Sequence, residues 1–361
     1  MAKKIIRNNE ELAARIRKTS DSQDVEGQKA ASNALASNFA SVINRNMGLS
    51  EPMTEAEALV VAPEGMINEA ILDGDIVSNI FDVNMLGWDQ YPSYPTDLIT
   101  PGSEGEYAAY TVPANGKIPR RVVEGDEITL NTYRIANSID WNVRYSRSGR
   151  IDVVSRALEV FQNGFVQKMN DDAWHTIIAA GLDRGLMAYD ASATAGTFTK
   201  KLLQTAKIAM IRNGGGNLSS AQQFKLTDIY ISPEAMEDIV NFSNTDISEL
   251  TRRDMEINAE GTVKRIYGIN LHVLSELGEG QKYTNYYTDV LGGSLQGTDV
   301  ELAIGLDQSR SNNPFINPIR GSGLEVYSDE SLLRSGVVGY WGSLELTYAV
   351  LDTRATLLLS M

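Results

Sequence analysis

From Ser148 to Gly181 the chain reads SGRIDVVSRALEVFQNGFVQKMNDDAWHTIIAAG. Apolar residues recur along it at steps of three and four: Val154, Leu158, Phe161, Phe165, Met169, Ala173 and Ile177. Asp152, Glu159, Asn163, Gln167 and Asp171 fall on the other faces. The spacing predicts a single amphipathic helix. About 30 residues reach roughly 45 Å, where an average helix has about 11–12 residues. The pattern asks for a rod.

The stretch before it has period two. In NTYRIANSIDWNVRYSR, Tyr133, Ile135, Ile139, Trp141, Val143 and Tyr145 share one face. Arg134, Ser138, Asp140, Asn142 and Arg144 take the other. This predicts a strand that reaches about 40–50 Å at ~3.3 Å per residue. EGEYAAYTV, upstream, is its expected antiparallel partner, with turn signals at Asn115-Gly116 and Gly125-Asp126 between them. Residues 94–147 are therefore expected to form a long two-stranded arm, with Lys117, Arg120 and Arg121 toward its far end. An isolated hairpin is marginal in water. An arm of this length has to lie on something, such as another subunit.

Downstream, TFTKKLLQTAKIAMIRNGGGN predicts a second helix that ends at Gly214, Gly215 and Gly216. LTDIYISPEAMEDIVNF predicts a strand running into a helix, with Ser232 as N-cap, Pro233 at the first helical position and Glu234 in the first turn. VKRIYGINLHVLSELG reads as one strand broken at Gly268. LELTYAVLDTRATLLLSM places Leu344, Leu346, Tyr348 and Val350 on one face, bends near Asp352, and continues as another apolar strand. The order is α+β, without the regular alternation of a doubly wound sheet.

Residues 1–55 differ from the rest. They are rich in Ala, Ser, Asn and charge, and predict short helices with weak apolar faces. Lys3, Lys4, Arg7, Arg15, Arg17 and Lys18 outnumber Glu10 and Glu11 near the start. Such a segment is expected to lie on a partner rather than to build its own core.

Composition narrows the function. The 361 residues are 42% hydrophobic, enough for a real core, and carry a formal net charge of −15. An acidic chain repels polyanions, which disfavours a dedicated DNA-binding role. The absence of cysteine excludes disulfides and thiolate metal sites. No apolar run approaches the ~18 residues of a membrane span. The opening MAKKIIRNNEEL lacks the apolar core of a signal peptide, so an intracellular product is expected.

Catalytic chemistry finds little support. The phosphate-cradling, dinucleotide, zinc-protease and nucleophile-elbow signatures are all missing. Gly214 to Gly216 have no following lysine and read as a surface hinge. His175 lies one turn after Asp171, but no third ligand accompanies them, and a polar helical face is the expected reading. His272 reads as a half-buried strand residue. Asp73 and Asp75 lack the rest of a calcium loop and read as a turn. Asp329 and Glu330 read as acids at a helix N-terminus. The expectation is no catalytic residue, no cofactor and no metal.

The order of parts resembles the major capsid proteins of tailed bacteriophages, with the Hong Kong 97 fold. WNVRYSRSGRIDVVSRALEVFQNGFVQKMNDDAWH matches the arm's return strand and the spine helix. DIYISPEAMEDI, RIYGINLHVLSELG and YAVLDTRATLLL look like the axial domain and the closing strands. The resemblance covers roughly residues 56–361. It implies an N-terminal helical extension over 1–55, an N-arm and the start of a peripheral domain over 56–93, and the extended hairpin over 94–147. A peripheral domain with the spine helix follows over 148–200, then an axial domain over 201–305 and a return through the peripheral domain over 306–361.

The resemblance also implies a structural role. The chain would assemble with itself into pentamers and hexamers of an icosahedral shell around packaged double-stranded DNA, with no sequence-specific DNA binding and no membrane. It would be built in the host bacterial cytoplasm and end in the virion capsid, with scaffolding, portal or decoration proteins as further partners. A strongly basic wall would hinder DNA packing and release, so the acidic balance agrees. Tyr110, Val112, Lys117, Ile118, Arg120, Arg121 and Val122 are the expected inter-subunit contacts of the arm. Some shell proteins join a loop lysine to a neighbour's asparagine. Lys117 with Asn312, Asn313 or Asn317 would be the candidates here, but nothing in the sequence requires a cross-link. The rival readings are an encapsulin-type bacterial compartment and a cytosolic enzyme.

Overall fold

A computed structural model describes residues 79–95, 111, 127–142, 151–213, 224–242, 256–257, 263–309, 313–329 and 336–361. The chain begins, among these, with β1 (Asp82–Leu86), β2 (Ser93–Pro95), β3 (Glu127–Thr129) and β4 (Tyr133–Asn142). Helix α1 (Ile151–Arg184), β5 (Met187–Ala188), α2 (Lys200–Asn213), β6 (Asp228–Ile231) and α3 (Pro233–Val240) follow. Next come β7 (Glu256–Ile257), β8 (Val263–Ile266), β9 (Ile269–Val273), α4 (Lys282–Asn285) and a π-helical turn at Tyr286–Val290. The chain closes with β10 (Leu302–Leu306), β11 (Phe315–Asp329), β12 (Val337–Leu346), β13 (Ala349–Val350), a 3-10 turn at Thr353–Ala355 and β14 (Thr356–Ser360).

The rod expected from the apolar stripe is α1, 34 residues long. Phe161, Phe165, Met169, Ala173 and Ile177 are all buried, as the spacing required. The side chains of Val154 and Leu158 lie outside the described residues.

The chain divides into two compact units. The first includes Arg134–Gln167 and Ser322–Glu345, and so takes the first half of α1. Here β12 is hydrogen-bonded to β4 on one edge and to β11 on the other. The alternation read along β4 holds from Ile135 to Trp141, while Tyr133, placed on the same face, is exposed, and Val143 and Tyr145 lie outside the described residues. Ile135 and Trp141 are buried, and Arg134, Ser138 and Asp140 are exposed. Trp141 packs on Tyr340 of β12, with ring centroids 5.5 Å apart. On the opposite face Arg134 lies over Trp341 at 5.6 Å and donates to Ser343 Oγ at 2.9 Å. The sequence predicted EGEYAAYTV as the partner of this strand. The partner seen is β12, some two hundred residues later, and EGEYAAYTV lies outside the described residues except for Thr111. Alternation reports which face is buried and carries no information on the neighbour.

The second unit includes Ile76–Tyr133, Lys168–Gly321 and Leu346–Met361. Its main sheet has the order β5-β14-β10-β6-β9-β8-β7. The central strands β6, β10 and β14 are buried throughout, as expected of strands covered on both faces. Leu202, Leu203, Ala206 and Met210 of α2 supply buried apolar side chains, as do Ala173, Trp174, Ile177 and Ile178 of α1. Helix α3 starts as the sequence predicted: Ser232 Oγ accepts from Ala235 N at 3.1 Å, with Pro233 at the first position.

One reading needs correction. The strand expected to break at Gly268 is instead a tight hairpin between β8 and β9, with Arg265 opposite Asn270. Tyr267 and Gly268 both have positive φ, 50° and 82°, which turns the chain back rather than kinking it. Asp329 is the last residue of β11, and Glu330, with the residues that would continue as the expected helix, lies outside the described residues.

Candidate assembly surface

The second unit carries the root of the expected arm. β2 and β3 pair antiparallel, with Ser93 opposite Thr129, Tyr94 opposite Ile128 and Pro95 opposite Glu127. Residues 96–126 therefore leave and return at one place. Ser93 Oγ donates to Glu127 Oε2 at 3.1 Å, and Asn84 Nδ2 of β1 donates to Tyr94 Oη at 3.3 Å. The first closes the root and the second ties it to β1. β1 in turn runs parallel to the start of β11, with Asp82 opposite Ile316 and Leu86 opposite Arg320.

Beside the root stands a group of exposed aromatic side chains. Trp88 is 57% exposed and Tyr91 is 75% exposed. Arg320 lies over the Tyr91 ring at 5.3 Å and donates to Gln90 O at 3.3 Å. Gly321 has φ +81°, and a Cβ there would stand 2.7 Å from the Trp88 ring, so only glycine lets the ring lie so close. Soluble monomers rarely hold several large aromatic groups in water; such patches mark interaction sites.

The residues named from sequence as arm contacts, Tyr110, Val112, Lys117, Ile118, Arg120, Arg121 and Val122, all lie outside the described residues. Trp88, Tyr91 and Arg320 were missed. A signal existed in GWDQYPSYP, where three aromatic residues sit in a stretch of turn-forming Gly, Asp and Pro with no apolar period.

His175 is stacked on Tyr286, with centroids 3.7 Å apart, and burial lowers its pKa. It is half-buried rather than on an open polar face. Asp171, one turn before it, accepts from Lys282 and from Tyr283 Oη. His272 stacks on Tyr230 and hydrogen-bonds Asp228 Oδ1 at 3.0 Å. Among the described residues no group of three or more His, Cys, Asp or Glu side chains could hold a metal ion. Of the asparagines considered for a cross-link, Asn313 donates to Ile80 O and accepts from Phe315 N, and Asn317 is buried. Asn312, Lys117, Asp73, Asp75 and Gly214 to Gly216 lie outside the described residues.

Asp190 is a heavily bonded carboxylate. It accepts from Lys201 Nζ at 2.7 Å, Ser192 Oγ at 2.6 Å, Ser192 N at 3.0 Å and Thr199 Oγ1 at 2.8 Å. Thr199 Oγ1 also accepts from Leu202 N at 3.1 Å, so the cluster fixes the start of α2. The Lys201 ammonium and the Ser192 hydroxyl hold this carboxyl well below the usual carboxylate range. Asp190→Ala should cost about 1.5–3 kcal/mol at neutral pH, the range for hydrogen bonds to a charged group. Because the folded pKa is depressed, this contribution is complete above the unfolded value of roughly 3.9 and fades as pH falls toward the folded one. Urea midpoints of the two proteins should differ by a constant amount above about pH 5 and converge toward pH 2. A gap that widens in acid would contradict the assignment.

No protein-family model matches the sequence, and no curated protein matches it. The structure, by contrast, has clear likenesses. A chain in the capsid structure of the cyanophage P-SCSP1u superposes with a TM-score of 0.54 at 14% identity, covering 79% of this chain and 88% of that one. A chain of Microbacterium phage Oxtober96 gives 0.53 at 11% identity, covering 80% and 90%. A chain in the acidic stable capsid structure of Helicobacter pylori bacteriophage KHP30 gives 0.51 at 11% identity, covering 80% and 92%. At these identities the likeness establishes the fold. The chain has the α+β fold of tailed-phage capsid chains, the Hong Kong 97 type expected from its order of parts.

Proposed function

We propose that this chain is a major capsid protein of a tailed phage, which assembles with itself into pentamers and hexamers of a closed icosahedral shell. The observation that carries the reading is the capsid fold over about four-fifths of the chain, 79% against the cyanophage capsid chain. The exposed aromatic groups at the arm's root support it, because a lone subunit has no use for them. The arm, with Tyr110, Val112, Lys117, Ile118, Arg120, Arg121 and Val122, reaches over a neighbouring subunit. Its basic groups meet acidic surface there, a contribution that salt weakens. The shell encloses double-stranded DNA without reading its sequence, and the role is structural rather than catalytic.

Purified protein at high concentration, with a scaffold supplied where needed, should give capsomers or closed shells in light scattering and electron micrographs. A stable monomer under all these conditions would count against the proposal. Shells purified from cells should contain double-stranded DNA; an enclosed enzyme would instead identify a bacterial compartment.

A further inference from the structure

We propose that the aromatic surface beside the arm's root on one copy of the chain receives the outer face of helix α2 from a second copy. This rests on the reading that the chain assembles, and it names which surfaces meet.

The first surface is held rigid before any partner arrives. Gln90 N donates to Gly87 O at 3.1 Å, and Gly87 N donates to Gln90 Oε1 at 3.2 Å, closing the loop that carries Trp88 and Tyr91. Arg320 and Gly321 fix the two rings from behind. Exposed Ile128, on β3, adds apolar area. Large side chains held in place before contact lose little entropy on burial, and Trp, Tyr and Arg are the residue types that dominate interface energetics. The ionic rim carries two exposed carboxylates, Asp89 between the two aromatic residues and Glu127 beside Ile128, while the cation there, Arg320, is engaged by the Tyr91 ring and Gln90 O.

The second surface has the opposite charge. Helix α2 buries Leu202, Leu203, Ala206 and Met210 in its own unit. Ile208 and Ile211, one turn apart, are nevertheless 51% and 40% exposed. Lys207 and Arg212, their immediate neighbours, are exposed as well. An aliphatic pair flanked by two cations complements an aromatic pair flanked by two carboxylates.

Charge also selects the geometry. Two aromatic surfaces facing each other would bring Asp89 and Glu127 against their own copies. Two α2 faces would do the same with Lys207 and Arg212. The favourable pairing is therefore head-to-tail, the kind of contact that closes a ring.

The chain has no cysteine, so introduced thiols are the only ones present. Full-length protein carrying both Tyr91→Cys and Ile211→Cys should be assembled, treated with a short bismaleimide, and run on a denaturing gel. Circular dichroism confirms folding, and micrographs confirm assembly. The double variant should give a ladder of covalent multimers, and each single variant should stay monomeric on the gel. A dimer from Tyr91→Cys alone would overturn the pairing, because like surfaces would then be meeting. Shells without a ladder, with both thiols accessible to a small maleimide, would overturn it too and point to a different protein as the occupant, while leaving the assembly reading intact. Failure to assemble under any condition would remove both.

Discussion

Replacing residues 111–123 by a short Gly-Ser turn should leave a folded subunit that no longer closes a stable shell. Folding should survive because the root of the arm is secured without those residues. Its three cross-strand pairs lie at 93–95 and 127–129, the Ser93–Glu127 side-chain bond closes them, and Asn84 of β1 bonds Tyr94 from outside. Among the described residues, both units bury a large set of apolar side chains that lie outside 111–123. Loss of the shell follows from what the removed stretch contains. Val112, Ile118 and Val122 are apolar, and Lys117, Arg120 and Arg121 are cationic, in a chain of net charge −15. Apolar surface contributes roughly 25 cal/mol per Å² when removed from water, and a hairpin cannot cover both of its own faces. Circular dichroism and electron microscopy on one preparation test both halves. Intact shells at normal yield would show that the arm is not an assembly element. An unfolded chain would place it in the subunit's own core.

How much of this was legible depends on the range of the signal. Local patterns transferred well. The α1 stripe, the Ser232 cap with Pro233, and the alternation from Ile135 to Trp141 each follow from residues within one or two turns of each other. Pairings between distant strands left no mark. β1 lies beside β11, and β4 beside β12, yet neither partner is implied by the other's sequence. The 15-residue strand β11 was hidden for a further reason. Pro318, Gly321 and Gly323 break its pattern, and such residues ordinarily end a strand. Gly321 is there because the Trp88 ring occupies the space of a side chain. The proposed assembly surface was hidden by the opposite effect. Trp88, Tyr91, Ile208 and Ile211 are core residue types, and their exposure becomes visible only when the subunit's own core is seen to be filled without them.

Phe161→Ala should be among the most damaging single changes in the first unit, at about 3–5 kcal/mol, the usual cost of truncating a buried Phe. The ring is almost fully buried and meets Phe165 edge-on, with centroids 5.2 Å apart. It also presses directly on β12, where a Cβ on Gly342 would stand 2.9 Å from Phe161 Cζ. The glycine makes room for the ring, so deleting the ring leaves a cavity that nothing on that strand fills. Val160, its exposed neighbour, offers the control: Val160→Ala should fall within about 0.5 kcal/mol of wild type. Gly342→Ala tests the contact itself. In the wild-type background it should be destabilising by about 1–3 kcal/mol, as overpacking usually is. In the Phe161→Ala background the closest clash is gone. Glu325 O at 3.3 Å and Leu324 Cδ1 at 3.4 Å remain, and the added methyl enters the cavity. Its cost there should drop below about 1 kcal/mol, giving a coupling of 0.5 kcal/mol or more, within the range for residues in contact. The chain has two units, so the measurement should follow a local signal, such as amide exchange along β12, rather than one global melting curve. Additive effects of the two changes, or wild-type exchange in Phe161→Ala, would mean that the stripe is not what seats the helix on this sheet.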